Sequence, residues 1–302
     1  MTPSDTPQTP DILCIGSVLW DVIGRVPADM GPGADMPGTI TRLPGGGALN
    51  IAMTLARFGF RPALLSVVGR DPEGDELVAA CRGMGLGCDW LCRTADLPTD
   101  RYMAIEGAQG LVAAVADAKS LETAGARILD ALRDGGLGSR AAPWEGPIAL
   151  DGNLTLDLLA ELAQAPEFAR ADLRVAPASP GKADRLAPLL PARNATLYVN
   201  LAEARILGAA AFADAAEAAG TLVARGARRV LVTDGGRLAA DGAPEGVITA
   251  LPPQVPVARI TGAGDTFMAA HLVAERRGAG RADALAAGLA AAAAYVEGDT
   301  LS

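Results

Sequence analysis

Basic side chains are scarce in this sequence, and their scarcity argues against one class of partner. Against 35 aspartate and glutamate residues there are 26 lysine and arginine residues, which gives a formal net charge of -9. A protein that neutralises nucleic-acid phosphates usually presents a basic face, and no lysine or arginine block occurs in this chain. We therefore expect no nucleic-acid partner.

Cysteine, histidine and long apolar runs are also scarce. The chain has four cysteines, which match no zinc-ligand spacing: Cys14, Cys81, Cys88 and Cys92. A metal site would have a single histidine to draw on, His271. The most apolar stretch, 285–296, is too short to span a bilayer, and no secretory signal is apparent. These features predict reduced thiols, a cytoplasmic location and no membrane partner.

Apolar segments of two lengths alternate along most of the chain, in which 50% of the residues are hydrophobic. The alternation predicts a mostly parallel, doubly wound α/β sheet with helices on both faces. Buried strands are predicted at 11–16, 62–68, 148–150, 173–175, 196–199 and 229–233. Helices are predicted at 49–58, 73–84, 156–162, 182–190, 213–225, 264–276 and 281–296.

Two early segments do not fit this alternation. Extended stretches within 17–44 and a β-hairpin within 99–116 predict a small separate sheet, which we interpret as a lid. The polar first ten residues, rich in threonine and proline, predict a disordered arm at 1–10. No linker divides the remainder, so 11–302 is predicted to form one domain.

A glycine-containing run, 261–265, precedes a predicted helix near the C-terminus. Glycines at a helix N-terminus let several backbone N–H groups converge on an anion, and the helix dipole favours negative charge there. Asp265 in the first turn suits either of two roles. It could cap the helix, or it could take a hydroxyl proton as a general base while the amides hold a phosphoryl group. This run alone does not decide between them.

A second glycine turn lies more than two hundred residues upstream, where Gly45, Gly46 and Gly47 lead into a helix. One glycine suffices for a turn before an Asn cap, whereas three indicate that another group approaches the backbone closely. Asn50 and the upstream Asp21 carry groups that bind sugar hydroxyls. Because Asp21 stands in an otherwise apolar strand, its carboxylate needs a partner or a ligand.

These two motifs, in this order, resemble those of the PfkB/ribokinase family of carbohydrate and nucleoside kinases. The first motif reads Gly45-Gly46-Gly47-x-x-Asn50-x-Ala52, followed by Gly59 and Gly69. The second reads Thr261-Gly262-Ala263-Gly264-Asp265-Thr266-Phe267. The resemblance covers nearly the whole chain, about 12–296. It implies a ribokinase-like fold with a β lid and transfer of a phosphoryl group from ATP to a hydroxyl.

The resemblance also implies roles for matching positions, with Asp265 as the catalytic base. The implied anion hole comprises Gly262, Ala263 and Gly264. The implied acceptor site comprises Asp21, Gly45, Gly46, Gly47 and Asn50. The implied ATP site comprises Lys182, Asn200, Thr233 and Gly235. Glu203 matches the family's Asn-x-x-Glu element, which organises Mg²⁺ largely through water, although a carboxylate there also suits a helix N-terminus. ATP and Mg²⁺ are thus the expected cofactors.

One position departs from the family pattern. Arg259 stands two residues before the 261–265 run, where many relatives carry an acidic residue. The departure concerns the surroundings of the ATP phosphates and any monovalent-cation site beside that loop. It does not affect the role implied for Asp265.

Two short segments resemble the pseudouridine kinase branch of the family. One is Pro177-x-Ser179-x-x-Lys182 and the other is Asp151-Gly-Asn153. Lys182 suits either a solvated helix N-terminus or an ammonium near the ATP phosphates. The resemblance implies 5′-phosphorylation of pseudouridine. Ribokinase, fructokinase, adenosine kinase and 2-keto-3-deoxygluconate kinase activities remain alternatives.

The sequence bears on two rival functions and on two oligomeric states, and it leaves the choice between monomer and dimer open. A non-catalytic sugar or nucleoside sensor would have no use for a base at Asp265. A nicotinamide-dependent oxidoreductase would need Gly-x-Gly-x-x-Gly after the first strand, whereas this chain reads Gly16-Ser-Val-Leu-Trp-Asp21. Lid strands that pair between subunits would give a homodimer, and a lone lid would give a monomer. We expect the homodimer.

Overall fold

The computed structural model describes residues 9–31, 33–108 and 110–298. The arm predicted at 1–10 lies almost wholly outside these residues, as does position 109 in the turn of the predicted hairpin. The strands, in chain order, are β1 (Ile12–Ile15), β2 (Leu19–Arg25), β3 (Thr39–Gly45), β4 (Pro62–Leu65), β5 (Val67–Gly69), β6 (Cys92–Thr94), β7 (Arg101–Gly107), β8 (Gly110–Asp117), β9 (Pro147–Asp151), β10 (Asp172–Ala176), β11 (Ala195–Asn200), β12 (Arg229–Thr233), β13 (Ala239–Ala243) and β14 (Gly246–Ala250).

Helices alternate with these strands. They are α1 (Gly47–Arg57), α2 (Pro72–Gly83), α3 (Ser120–Ala124), α4 (Leu156–Gln164), α5 (Leu201–Leu207), α6 (Ala215–Ala224), α7 (Ala263–Arg276) and α8 (Arg281–Glu297). Short 3₁₀ helices cover Gly125–Leu132, Pro166–Phe168 and Pro180–Leu189. None of the helices in the described ranges is long and apolar enough to cross a membrane.

The main sheet confirms the predicted doubly wound α/β fold. Within the described residues it has eight strands in the order β14-β13-β12-β11-β10-β9-β1-β4. Six of these strands run parallel, namely β4, β1, β9, β10, β11 and β12. Strands β13 and β14 add an antiparallel edge. This arrangement places the carboxyl ends of six strands at one edge of the sheet, where ligands bind in open α/β folds.

Successive side chains of the central strand β1 enter two separate cores. Leu13 and Ile15 pack with α4 and α6 on one face, whereas Ile12 and Cys14 pack with α1 and α7 on the other. All four side chains are fully buried, and each fully buried aliphatic side chain stabilises the fold by about 1.5–3 kcal/mol. A strand buried on both faces reads as a continuous apolar run, which is why β1 was predictable.

A second, smaller sheet of order β3-β2-β7-β8 forms from the two segments that broke the alternation. Strand β2 pairs antiparallel with β3 and parallel with β7, and β7 pairs antiparallel with β8. Asp21 lies in β2 opposite Leu43 and Tyr102, so these three side chains share one face. We refer to these four strands as the small sheet.

Two local predictions were wrong, and some elements were not predicted. The strand predicted at 62–68 is interrupted at Ser66 and forms β4 and β5, which pair with different partners. The helix predicted at 182–190 is a 3₁₀ helix that contains Pro188, a residue that supplies no N–H for an α-helical hydrogen bond. The hairpin of β13 and β14 and the helices α3 and α5 were not predicted, partly because β13 reads Ala-Ala-Asp-Gly-Ala and lacks the usual strand formers.

Candidate active site

One hydrogen bond joins the two glycine motifs. The side-chain amide Nδ2 of Asn50 donates to Oδ2 of Asp265 over 3.1 Å, across 215 residues of sequence. Asn50 lies in the first turn of α1 and Asp265 in the first turn of α7. The two helices begin side by side, so their N-terminal ends and the glycine turns before them form one site.

The turn before α7 is held by a side chain from α8. Gly262 adopts a left-handed conformation with φ of 92°, and a Cβ there would lie 2.6 Å from Oη of Tyr295. That hydroxyl donates to the carbonyl of Thr261 over 2.8 Å. A residue other than glycine at this position would therefore be strained by its backbone and would clash with Tyr295.

The backbone amides of this turn are not equivalent. The N–H of Ala263 donates to the carbonyl of Ile260 over 3.0 Å. The amides of Gly264 and Asp265 lie in the first helical turn, where an N–H has no acceptor within the helix. A Cβ added to Gly264 would meet nothing within 4 Å, so space is open beside it. An anion at this helix end would therefore be met by Gly264 and Asp265 in preference to Ala263.

Burial and neighbouring charges favour the protonated form of Asp265. Burial is the main cause that raises its pKa to about 7, and Asp151 and Glu203 add to the rise. The hydrogen bond from Asn50 acts in the opposite direction. A carboxylate whose pKa lies near neutrality can accept a proton and release it again, as a general base must.

The three glycines at the start of α1 have separate structural reasons. A Cβ on Gly45 would lie 2.0 Å from Oδ2 of Asp21, and a Cβ on Gly47 would lie 2.8 Å from Oδ2 of Asp151. Gly46 has a positive φ of 101°. The close approach predicted from the sequence is thus made by the protein's own carboxylates, which leaves these carboxylates lining the start of α1.

Asp21 is a second acid with a raised pKa. It lies in the small sheet beside Gly45, and burial raises the pKa of its carboxyl to about 6. Among the described residues no donor compensates for this burial, so a ligand hydroxyl would be a favourable partner. Across the strand pair, Asp21 in turn helps to raise the pKa of Tyr102.

Ser17 and Asp151 were not assigned a role by the sequence motifs, yet they connect the site. Asp151, only 2% exposed, accepts with Oδ2 from the amide and hydroxyl of Ser17, both at 2.8 Å, and from the amide of Ala48 at 2.9 Å. Gly16 is the sequence feature that marks this contact, because a Cβ at that position would lie 2.5 Å from the carboxyl carbon of Asp151. Asp151 therefore ties the ends of β1 and β9 to the start of α1.

Lys182 is engaged with Asn153. Its Nζ donates to Oδ1 of Asn153 over 2.6 Å, and Nδ2 of Asn153 donates to the hydroxyl of Ser17 over 2.9 Å. The lysine lies on the 3₁₀ helix Pro180–Leu189 and is half-buried. It is thus connected to the start of α1 through two side chains.

Asn200 and Glu203 form a capping box at the start of α5. The amide of Glu203 donates to Oδ1 of Asn200 over 2.9 Å, and the amide of Asn200 donates to Oε2 of Glu203 over 2.8 Å. Burial raises the pKa of Glu203. The helix-terminal role that the sequence left open is therefore present, and the second carboxylate oxygen, Oε1, takes no part in the cap.

The donor set near Glu203 suits a metal bound largely through water. No group of three or more histidine, cysteine, aspartate or glutamate side chains in the described ranges could enclose a metal ion. Mg²⁺ commonly keeps several of its waters and binds proteins through one or two carboxylates. The free oxygen of Glu203 fits that requirement.

Thr233, Gly235 and Arg259 lie around the same edge of the sheet. Thr233 ends β12 directly opposite Asn200 at the end of β11, and Gly235 follows in a turn with φ of 58°. Arg259 stacks on the ring of Tyr295 at 3.8 Å and donates to its carbonyl over 2.8 Å. The departure from the family pattern at Arg259 therefore places a guanidinium in support of the loop that precedes α7.

Comparisons with known proteins show the family and the fold of this chain. Residues 9–299 match the model of the pfkB family of carbohydrate kinases. A carbohydrate kinase from Agrobacterium tumefaciens has 29% sequence identity and a TM-score of 0.78, over 96% of this chain and 92% of that one. A ribokinase from Arabidopsis thaliana, solved with ribose and ATP, shares the fold with a TM-score of 0.73 at 20% identity, over 96% and 93% of the two chains.

A sequence relative in Escherichia coli (strain K12) is the uncharacterized sugar kinase YeiI. It is 31% identical over 146 residues, which are 48% of this chain and 39% of the relative's length. The match thus spans less than half of that protein. The family match, by contrast, extends over nearly the entire sequence, and so the chain belongs to the pfkB family of carbohydrate kinases.

Proposed function

We propose that this protein transfers the terminal phosphoryl group of ATP to a hydroxyl of a sugar or nucleoside, with Asp265 as the general base. The observation that carries this proposal is the Asn50–Asp265 contact at the adjoining N-termini of α1 and α7. It combines an amide that can bind an acceptor hydroxyl with a carboxylate whose pKa is raised to about 7. Both groups stand at a helix end that favours anions.

The chemical step follows from these positions. Asp265 takes the proton of the acceptor hydroxyl, whose oxygen forms a bond to the terminal phosphorus of ATP. The bond between that phosphorus and the bridging oxygen breaks, and ADP leaves with the electron pair. The amides of Gly264 and Asp265 stabilise the charge on the transferred group, and those of Gly262 and Ala263 shape the turn that presents them. Asp21 and Asn50 orient the acceptor, and Gly45, Gly46 and Gly47 let Asp21 and Asp151 approach it.

The ATP site is proposed along the ends of β10, β11 and β12. Lys182 supplies a positive charge for the phosphates, and Asn200, Thr233 and Gly235 border the nucleotide. Mg²⁺, when bound, would neutralise phosphate charge, with Oε1 of Glu203 holding one of its waters. We infer that residues 11–302 form one domain, in which the small sheet covers the acceptor as a lid.

Pseudouridine is the acceptor that we propose first, with phosphorylation at the 5′-hydroxyl. The two segments that resemble the pseudouridine kinase branch lie apart in sequence, and the hydrogen bond between Asn153 and Lys182 links them. This contact supports a joint role for the two segments, but it does not identify the nucleobase of the acceptor. Ribose, fructose, adenosine and 2-keto-3-deoxygluconate remain second candidates. Kinases that act on them belong to the same family and share its site residues.

A homodimer through the small sheet is also proposed. Ile40, Met103 and Val115 are 77%, 49% and 60% exposed and share the face opposite Asp21. An exposed apolar patch of this kind commonly contacts another protein. In a symmetric dimer, each copy would bury this patch against the same patch of the other copy. Sedimentation velocity tests this proposal: a dimer that dissociates in Val115→Glu supports it, and a monomeric wild-type protein contradicts it.

An ADP-release screen tests the proposed function. The purified protein is supplied with MgATP and, separately, pseudouridine, uridine, adenosine, ribose, fructose or 2-keto-3-deoxygluconate. We expect rapid ADP release with one acceptor, pseudouridine first, and loss of activity when EDTA removes the divalent metal. Release of ADP with none of the acceptors would contradict the substrate class, and full activity in EDTA would contradict the role of Glu203.

A further inference from the structure

We propose that Asn153 and Ser17 are positioning residues that aim Lys182 at the phosphates of ATP, an inference that rests on the proposed kinase function. The four side chains Lys182, Asn153, Ser17 and Asp151 form a continuous hydrogen-bonded chain. Its three contacts measure 2.6, 2.9 and 2.8 Å. The chain begins at a cation beside the proposed ATP site and ends at a buried carboxylate beside Asp265.

The direction of every hydrogen bond in this chain follows from the chemistry of its ends. A lysine ammonium can only donate and an ionised carboxylate can only accept. Oδ1 of Asn153 must therefore face Lys182, which turns Nδ2 towards Ser17. Because Ser17 Oγ also accepts from the amide of Gly47 at 2.8 Å, its own hydrogen is left to donate to Asp151. Each group thus donates to the next, from Lys182 to Asp151.

The middle of the chain is fully engaged. The hydroxyl of Ser17 makes one donor and two acceptor contacts, which is all that a hydroxyl can make. The amide of Asn153 donates to Oδ1 of Asp151 over 2.7 Å, so its backbone is held by the same carboxylate. Both residues are thus fixed by Asp151 at the end of β9. A fully satisfied network of this kind restricts the rotamers of the side chains that it joins.

The partner of Lys182 is a neutral amide, and this leaves the cation available. An ammonium has three N–H donors, of which Asn153 takes one, so two can still meet phosphate oxygens. A carboxylate in the same place would form a contact ion pair and cancel much of the charge that ATP requires. The nearest carboxyl group in this series of hydrogen bonds, that of Asp151, is separated from Lys182 by the side chains of Asn153 and Ser17.

Replacement of Asn153 by aspartate tests this arrangement, because the shape is kept and the charge is changed. We expect Asn153→Asp and Lys182→Met each to raise the KM and the Kd for ATP about tenfold, with little change in the KM for the acceptor. In a protein that already carries Lys182→Met, Asn153→Asp should have little further effect on ATP. Lys119 is the other lysine of the protein and is exposed. Lys119→Met is therefore the matched control and should behave as wild type.

The double-mutant cycle distinguishes aiming from simple structural support. Additive losses, or an equal rise in the KM for the acceptor, would overturn the role of Asn153. Ser17→Ala should also raise the KM and the Kd for ATP while the melting temperature stays unchanged. A lower melting temperature with unchanged ATP binding would remove Ser17 from the proposal. Calorimetric Kd values for ATP keep the test independent of turnover. Normal ATP binding by Lys182→Met would overturn this inference, whereas a wild-type protein that binds ATP but phosphorylates no acceptor would overturn only the proposed function.

Discussion

Helix α7 carries a partly buried acid near each end, and the two acids have opposite surroundings. Among the described residues the carboxylate of Asp265 in the first turn has one hydrogen-bond partner, the neutral amide of Asn50, and its pKa is raised to about 7. Glu275 in the last turns forms ion pairs with Arg174 and Arg229, and its pKa is lowered. The same helix therefore contains one acid without a cationic partner and one with two.

The compensated end belongs to a larger buried network. Arg229 also pairs with Asp241, which is fully buried and accepts from Arg281 as well. His271, between the hydroxyl of Tyr198 and Arg229, is fully buried, and burial lowers its pKa to about 4. Because an arginine can only donate, Nε2 of His271 must accept and its proton lies on Nδ1.

The difference in surroundings indicates that Asp265 serves the reaction and that Glu275 serves the stability of the fold. A buried charge without an ionic partner destabilises a fold, and proteins retain such groups chiefly where a perturbed pKa serves a reaction. A paired and hydrogen-bonded charge contributes to structure and is costly to break. We therefore expect substitutions at the two ends of α7 to affect different properties.

The largest effect is expected at Asp265. Replacement by asparagine keeps the shape and the contact with Asn50 but removes the base, so kcat should fall about a thousandfold. The Kd for ATP should stay within about twofold of wild type, because the base acts on the acceptor. Steady-state kinetics and calorimetry measure both quantities. A kcat near that of the wild-type protein would mean that both ends of α7 are structural.

The next effect is expected at Glu275 and concerns stability. Glu275→Gln leaves Arg174 and Arg229 short of a counter-charge, which should lower the free energy of unfolding by about 3 kcal/mol. Denaturant unfolding measures this change, and kcat at 25 °C should remain close to that of the folded wild-type protein. If Glu275→Gln were as stable as wild type but inactive, the division between the two ends would be wrong.

A smaller change is expected at Asp21, which resembles Asp265 in its raised pKa. Asp21→Ala removes a hydrogen bond to the acceptor, and the KM for the acceptor should rise about tenfold. The KM for ATP should not change, because Asp21 lies in the small sheet away from the proposed nucleotide site. An unchanged KM for the acceptor would place the sugar site elsewhere.

The last expected effect is the pH dependence of stability, which has opposite sign at the two ends of α7. Since the pKa of Asp265 is higher in the folded state than its ordinary 3.8, its ionised form destabilises the fold above pH 7. Asp265→Asn should therefore be more stable than wild type at pH 8, and this gain should shrink as the pH falls from about 7 towards 4. The contribution of Glu275 has the reverse dependence and is lost at low pH. Thermal unfolding at pH 8 and pH 4 compares the two contributions.

The parts of this molecule that the sequence predicted are those with local signals. The buried parallel strands appear as apolar runs, and Asp265 and Asn50 follow glycine turns that each mark a helix start. The family resemblance also implied that the two motifs belong to one site. Their hydrogen bond then agrees with a conclusion that had rested on family resemblance.

The remaining features depend on contacts between distant segments. Asp151 meets Ser17 across 134 residues, and Arg174 meets Glu275 across 101 residues. No periodicity or motif marks such pairs, because a single serine or arginine has no characteristic spacing. The 3₁₀ helix at Lys182 was read as an α-helix since its apolar spacing suits both, and Pro188 was the signal against it.

The pH dependence of kcat/KM for the acceptor, at saturating MgATP, tests the uncompensated state of Asp265 most directly. The single histidine is buried with a pKa near 4, so it would not produce a change near neutrality. We predict that kcat/KM falls tenfold per pH unit below about pH 7, and more steeply below about pH 6, where Asp21 also takes up a proton. A profile that is level from pH 5 to pH 8 would contradict the assignment of Asp265 as a base with a raised pKa.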